Sequence, residues 1–304
     1  MELARYSNFL PQNNPHVHKY SRGRVAVIGG SGKYPGAVML ASKAVARAGA
    51  GYVTAFVPIC IRTIFQSSLP EIVSVPIPNN TESFIGKNAF ECISLEKQHC
   101  VLYGPGVGFG KTQTKLLKKL VTEDTPLVVD ADMIEALASL EDINGAKSVY
   151  SRTTPLIITP HHGELKKWLR NNREDDYNKL DPSLIAFRVQ GKLKAAEANN
   201  VVVVAKGEKT QVITSTSALN PAGGTDTLAT AGTGDVLAGT IAGLIAQSRP
   251  TNVSETANVC AAAVEAHALA GEIAGNKFGR RGAMANNVCD CIGLAIDQLH
   301  GKEE

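Results

Sequence analysis

Arg24-Val-Ala-Val-Ile28, then Gly29-Gly-Ser-Gly-Lys-Tyr-Pro-Gly36, then Ala37 to Arg47 read in succession as a buried strand, a glycine turn and a helix. The first piece is a continuous apolar run, as expected for a strand covered on both faces of a parallel sheet. The last has apolar residues at helical spacing. The pattern recurs. Further runs are Tyr52-Val-Thr-Ala-Phe-Val57, Cys100-Val-Leu-Tyr103, Leu127-Val-Val-Asp130, Leu156-Ile-Ile-Thr159 and Val201-Val-Val-Val-Ala205. Helical spacing returns at Thr112 to Val121, Leu184 to Asn199, Asp235 to Gln247 and Val253 to Ala274. Strand then helix, repeated, predicts right-handed βαβ units and an α/β fold with a central, mostly parallel sheet flanked by helices.

The 304 residues are 44% hydrophobic, 19% charged and 5% aromatic, which excludes a disordered, collagen-like or disulfide-scaffold chain. The formal net charge is +3 with no long basic run, so neither nucleic acid nor a membrane surface is an expected partner. No apolar run nears the roughly 20 residues of a membrane helix, and Met1 to Arg24 has no apolar signal core; a cytoplasmic protein is expected. The six cysteines form no CxxC pair and are expected to be buried and reduced. The polar stretch Asn171 to Asp181 is too short for a domain linker, so a single domain over 1–304 is expected, its core about 10–298.

In such sheets ligands bind beyond the carboxyl ends of the strands, where the glycine turns lie. Gly29–Gly36 is not a P-loop: Val27 stands where the first Gly belongs and Tyr34 replaces the Ser/Thr. Pro35 also breaks GxGxxG. Gly104-Pro-Gly-Val-Gly108 offers backbone without Cβ atoms. Asp130-Ala-Asp132 ends a strand, where a carboxylate can hold a metal, a ribose hydroxyl or, for Asp132, a helix N-terminus. In Thr159-Pro-His-His-Gly-Glu164, the adjacent His161 and His162 diverge, so one of them can meet a ligand; Glu164 can cap the next helix or help hold magnesium. Lys206-Gly-Glu-Lys-Thr210 turns between two strands and can bring a cation to phosphates.

The strongest segment is Thr230-Ala-Gly-Thr-Gly-Asp-Val-Leu-Ala-Gly-Thr240. Gly232 and Gly234 permit a nest of N–H groups, and the helix that starts there adds its positive end. A carboxylate beside a phosphate site is costly unless it has a task. General base for an attacking hydroxyl is the task that fits Asp235.

In this order, these segments resemble the carbohydrate-kinase-like family of NAD(P)H-hydrate dehydratases, within the ribokinase-like superfamily. The resemblance also rests on His18-Lys-Tyr, Arg47-Ala-Gly-Ala-Gly-Tyr-Val53, Pro70-Glu71 and His267-Ala-Leu-Ala-Gly271. It implies a ribokinase-like fold and ADP- or ATP-dependent dehydration of (6S)-hydrated NADH or NADPH. The C6 hydroxyl is phosphorylated and phosphate is then eliminated. It further implies that Asp235 is the base and touches the hydrate, and that Gly232, Thr233 and Gly234 form the anion hole, Gly234 also lying near the nucleotide. Lys206, Gly207, Glu208, Lys209 and Thr210 would line the ATP or ADP pocket, and Ala37, Gly108 and His161 would contact the hydrate. Mg2+ is implied as a cofactor without assigned ligands, and a homo-oligomer, a tetramer by analogy, as the assembly. With only about 20 residues ahead of the first strand, no N-terminal epimerase domain is expected.

The sequence departs from the family pattern at His162, where the family usually has Pro, at Gly224-Thr-Asp-Thr227, and at Ala285-Asn-Asn287. The second departure leaves the phosphate donor open. The alternative function is a ribokinase-like kinase of a thiazole or pyrimidine alcohol, which would release a stable phosphoester. A third reading is a nucleotide-binding module without catalysis.

Overall fold

The computed structural model describes residues 5–12, 16, 18–80, 82, 84–170 and 180–301. Among these, nine strands form one sheet: β1 (Arg24–Ile28), β2 (Tyr52–Pro58), β3 (Val73–Ile77), β4 (Cys100–Tyr103), β5 (Leu127–Val129), β6 (Leu156–Ile158), β7 (Val201–Ala205), β8 (Gln211–Ile213) and β9 (Ala218–Leu219). Their spatial order is β3-β2-β1-β4-β5-β6-β7-β8-β9. β1 to β7 are parallel, whereas β8 and β9 run antiparallel as hairpin additions at one edge.

Ten helices surround the sheet: α1 (Pro35–Arg47), α2 (Arg62–Ser68), α3 (Lys111–Leu120), α4 (Asp132–Asn144), α5 (Ala146–Tyr150), α6 (His162–Leu169), α7 (Pro182–Ala195), α8 (Thr233–Ser248), α9 (Val253–Phe278) and α10 (Ala285–His300) among the described residues. Strand side chains alternate between the faces. Val25, Val27, Leu102 and Val128 meet α1, α8, α9 and α10. Ala26, Ile28, Tyr103 and Val129 meet α3, α4, α6 and α7. Both faces are therefore covered, which is why the strands read as unbroken apolar runs. Each fully buried Val, Leu or Ile contributes about 1.5–3 kcal/mol of transfer free energy.

β3 was not foreseen. It is the sheet's outer strand beyond β2, carries Ser74 and Pro76, and is half-exposed. Proline is tolerated on an edge because no neighbour needs its missing N–H. α2 and α10 were also unforeseen. α7 starts two residues earlier than expected, at Pro182, because Asp181 caps it by accepting from Ser183 N at 2.7 Å, and it stops at Ala195. Of the polar stretch Asn171 to Asp181, residues 171–179 lie outside the described residues. Among the described cysteines none is disulfide-bonded; Cys100, Cys260, Cys289 and Cys291 are buried, but Cys60 and Cys92 are exposed, against expectation. Cys60 is the middle residue of a one-turn helix, Ile59–Ile61, at the surface.

The strand order reverses between β1 and β4, making a crevice at their carboxyl ends. The two glycine turns close on each other there: Gly30 N donates to Pro105 O at 2.7 Å and Gly104 N to Ile28 O at 3.3 Å. Gly104 has φ +135°, and a Cβ on it would stand 1.9 Å from Asp130 O, so only glycine fits. Behind the crevice α1 and α8 pack through small residues. A Cβ on Gly239 would lie 2.3 Å from Ala41 O, and one on Gly243 would lie 2.8 Å from Val45 O.

Candidate active site

α8 opens with the segment singled out in the sequence. Gly232 precedes it at φ +94°, the left-handed turn that swings the chain into the helix. Thr233 Oγ1 donates to Leu228 O at 2.8 Å and to Thr230 O at 2.9 Å, which ties the loop down. The first-turn N–H groups of α8 are free of intrahelical partners, as at any helix start. Asp235 lies in that turn. Burial pushes its carboxyl up to about 7; Asp130 and Glu164 add to the rise and Lys206 opposes it.

The ends of β5, β6 and β7 supply the charges around it. Lys206 Nζ donates to Asp130 Oδ1 at 2.7 Å, and Thr159 Oγ1 donates to the same oxygen at 2.6 Å. Lys206 N is anchored to Pro160 O at 2.8 Å. Burial pulls the Lys206 ammonium down, but the carboxylates of Asp130, Glu164 and Asp235 outweigh it and leave the lysine above its ordinary value, so it stays charged. The ammonium sits beside the Gly232–Gly234 turn: a Cβ on Gly234 would be 3.3 Å from Lys206 Nζ.

His161 precedes α6 as its N-cap. Its Nδ1 accepts from Gly163 N at 3.0 Å and Glu164 N at 3.4 Å, while Glu164 Oε2 accepts from His161 N at 2.9 Å. An Nδ1 that accepts carries no proton, so the proton of the neutral ring is on Nε2, 3.2 Å from Glu164 Oε1. Burial, then Lys206, lower the His161 pKa and favour that neutral form. Glu164 rises to about 7, first through burial. Of the two roles open to Glu164, capping is the one its hydrogen bonds show. The two histidines do diverge: His162 turns onto Gly207, where a Cβ would lie 2.3 Å from its Nε2. Asp132 makes no capping bond; it is the first residue of α4, preceded by Ala131 at φ 56° and ψ −140°.

Ala37 lies against Gly106 of the β4 turn, and Leu40, one helical turn on, lies against Gly232. The reversal crevice therefore adjoins the start of α8. Gly108, at φ +75°, packs on the Phe84 ring. The Lys206–Thr210 turn is closed by Thr210 Oγ1, which donates to Gly207 O at 3.1 Å. It divides its residues between two places. Lys206 faces Asp235, whereas Lys209 and Thr210 line a cavity of about 680 Å³ between α7 and the β7–β9 hairpins. Glu208 and Gly207 join the two ends.

Phe187, Gln190 and Asn220 on that cavity were not singled out in the sequence. One signal was available: Phe187 is a large apolar residue off the buried stripe Ile185, Ala186, Val189, Leu193, and it is 73% exposed.

A mostly parallel sheet of this order, flanked by helices on both faces, defines a ribokinase-like fold. The NAD(P)H-hydrate dehydratase family model matches residues 25–293, and the chain belongs to that family. The chain is 32% identical over 298 residues to a bifunctional NAD(P)H-hydrate repair enzyme of Salinibacter ruber, an alignment covering 96% of this chain and 51% of that protein. It is 29% identical over 272 residues to an ADP-dependent (S)-NAD(P)H-hydrate dehydratase of Listeria monocytogenes, covering 88% of this chain and 86% of that one. The chain spans about half the length of the bifunctional relatives it matches. Its fold matches the ADP/ATP-dependent NAD(P)H-hydrate dehydratase of Bacillus subtilis co-crystallized with ATP/Mg2+, with a TM-score of 0.74, 21% identity, and 97% and 96% of the two chains covered. No helix among the described residues is long and apolar enough to cross a membrane.

Proposed function

We propose that this chain dehydrates the (6S)-hydrates of NADH and NADPH at the expense of ATP or ADP. The observation that carries the reading is Asp235: a carboxyl raised to about 7, set in the first turn of α8 beside a glycine-built nest and a buried lysine. A general base works best with a pKa near the working pH. The nest and helix start suit the charge of a transferring phosphoryl group.

Asp235 takes the proton of the C6 hydroxyl as its oxygen bonds to the terminal phosphorus of the nucleotide. The bond from that phosphorus to its bridging oxygen breaks, and the shortened nucleotide leaves. The C6–O bond of the phosphorylated hydrate then breaks with its electron pair on phosphate, driven by the ring nitrogen's lone pair. Loss of the C5 proton restores the dihydropyridine. The products balance as dinucleotide, shortened nucleotide, phosphate and a proton. Gly232, Thr233 and Gly234 hold the phosphoryl oxygens; Lys206 neutralises their charge. The adenosine fits the cavity lined by Lys209 and Thr210, since the Lys206–Thr210 turn joins it to the anion hole. Ala37, Gly108 and His161 face the hydrate from the crevice and from α6.

Among the described residues no three His, Cys, Asp or Glu side chains converge on one point. Yet three carboxylates surround one lysine, a surplus that suits an added cation. Mg2+ would be held mainly by phosphate oxygens; Glu164 would join them only by giving up its hydrogen bond from His161 N. Magnesium would supply charge neutralisation on the phosphates. A homo-oligomer and a cytoplasmic location belong to the same proposal. Incubation of chemically hydrated NADH with the protein and ATP or ADP should restore near-UV absorbance and release phosphate. A stable phosphoester instead would favour the kinase alternative, and no change with either donor would overturn the reading.

A further inference from the structure

Asp130 and Thr159 are buried at the ends of adjacent parallel strands, just beyond the register pair Val129 and Ile158. Neither is required to touch a substrate in the mechanism above. Three observations give them a task. Thr159 Oγ1, 2.6 Å from Asp130 Oδ1, fixes the carboxylate; Asp130 Oδ1, 2.7 Å from Lys206 Nζ, fixes the ammonium. Ala131, which follows Asp130, sits at φ 56° and ψ −140°, a conformation that L-residues adopt only where the surroundings impose it. Gly104 lets the Asp130 carbonyl press in where a Cβ would lie 1.9 Å away. The strand end is thus bent and clamped around this one carboxylate.

A lysine is a point charge on a flexible four-carbon stem. Left unheld, the Lys206 ammonium would be drawn to Asp235, pairing with the base and quenching it. We propose that Asp130, itself steered by Thr159, is the positioning residue that fixes the Lys206 ammonium against the anion hole and keeps it off Asp235. The inference rests on the function proposed above and adds what makes one lysine and one aspartate serve separate steps. Asp130 contributes in a second way: its own charge raises Asp235.

The test compares Asp130→Asn and Thr159→Val with the wild type. Asp130→Asn should lower kcat on the NADH hydrate about 10- to 100-fold. It should also move the acid limb of the pH–kcat/KM profile to lower pH, because Asp235 loses a neighbouring negative charge and gains a free ammonium. Thr159→Val should move both in the same direction by less. A purely structural role would lower stability without moving the acid limb. Carboxyl-carbon NMR titration of Asp235, assigned with Asp235→Asn, needs no turnover; its midpoint should fall in Asp130→Asn. If Asp130→Asn does not fold, Thr159→Val carries the test. An unmoved Asp235 midpoint in the folded variant overturns the inference even where the enzyme is active. A wild type inactive with both donors overturns the function, whatever the titration shows.

Discussion

A methyl group on Gly234 would stand 3.3 Å from the ammonium nitrogen of Lys206, tighter than ordinary contact. The lysine is pinned to Asp130 at 2.7 Å and cannot yield freely. Gly234→Ala should therefore leave the fold intact but reduce kcat about 10²-fold or more, the usual worth of one oxyanion-stabilising element. Circular dichroism and steady-state kinetics together decide this; a variant with wild-type turnover would show that the ammonium is not part of the phosphoryl site.

Asp235→Asn should cut turnover about 10²–10⁴-fold. The same substitution should raise stability at pH 8. A carboxyl whose folded pKa lies near 7, above its unfolded value of 3.8, binds its proton more tightly when folded. Its contribution to stability is then greatest at low pH and is lost as pH rises from about 4 through 7. An uncharged amide does not incur that loss. Thermal melts of the two proteins at pH 5 and pH 8 should show a clearly larger gain for the variant at the higher pH. Equal shifts at both would contradict the buried-carboxyl account.

The activity profile follows from the same group. With Asp235 raised to about 7, kcat/KM should fall tenfold per pH unit below that value. A flat profile between pH 5 and 7 would mean that the base titrates elsewhere.

His162 packs its ring on Gly207, and a Cβ at 207 would meet Nε2 at 2.3 Å. Gly207→Ala alone should cost about 1–3 kcal/mol by overpacking. His162→Pro places proline in the first helical position of α6, where it is well tolerated. In that background the Gly207→Ala cost should largely vanish. Denaturant unfolding of the four proteins of the cycle measures the coupling; strict additivity would refute the contact.

Phe187, 73% exposed on the cavity wall, is positioned to stack on an adenine ring. Phe187→Ala should raise the nucleotide KM about 10-fold, by the known scale of base–aromatic stacking, and leave the hydrate KM unchanged. Equal KM values would place the adenosine elsewhere.

Much of this was legible in the sequence because buried parallel strands announce themselves as apolar runs. Val201-Val-Val-Val-Ala205 needs no partner sequence to be recognised as β7. β3 was hidden because an edge strand tolerates Ser74 and Pro76, which break the run. Gly232-Thr-Gly-Asp235 was readable because a glycine nest and a carboxylate must be contiguous to serve one helix start. The link among Asp130, Thr159 and Lys206 was not, because these residues lie up to 76 positions apart and meet only through strand order. Phe187 belongs to an ordinary helix, and only its exposure in three dimensions marks it.

Gly239 and Gly243 lie one and two turns beyond Asp235, the farther about 12 Å along the α8 axis. They contact α1, whose first turn adjoins the crevice at Ala37. On the proposed mechanism, the gap between donor and acceptor is gauged by how close these two rods can lie. Any bulk added at those seams would pry donor and acceptor apart, so drift should be least forgiving at sites that never meet a ligand.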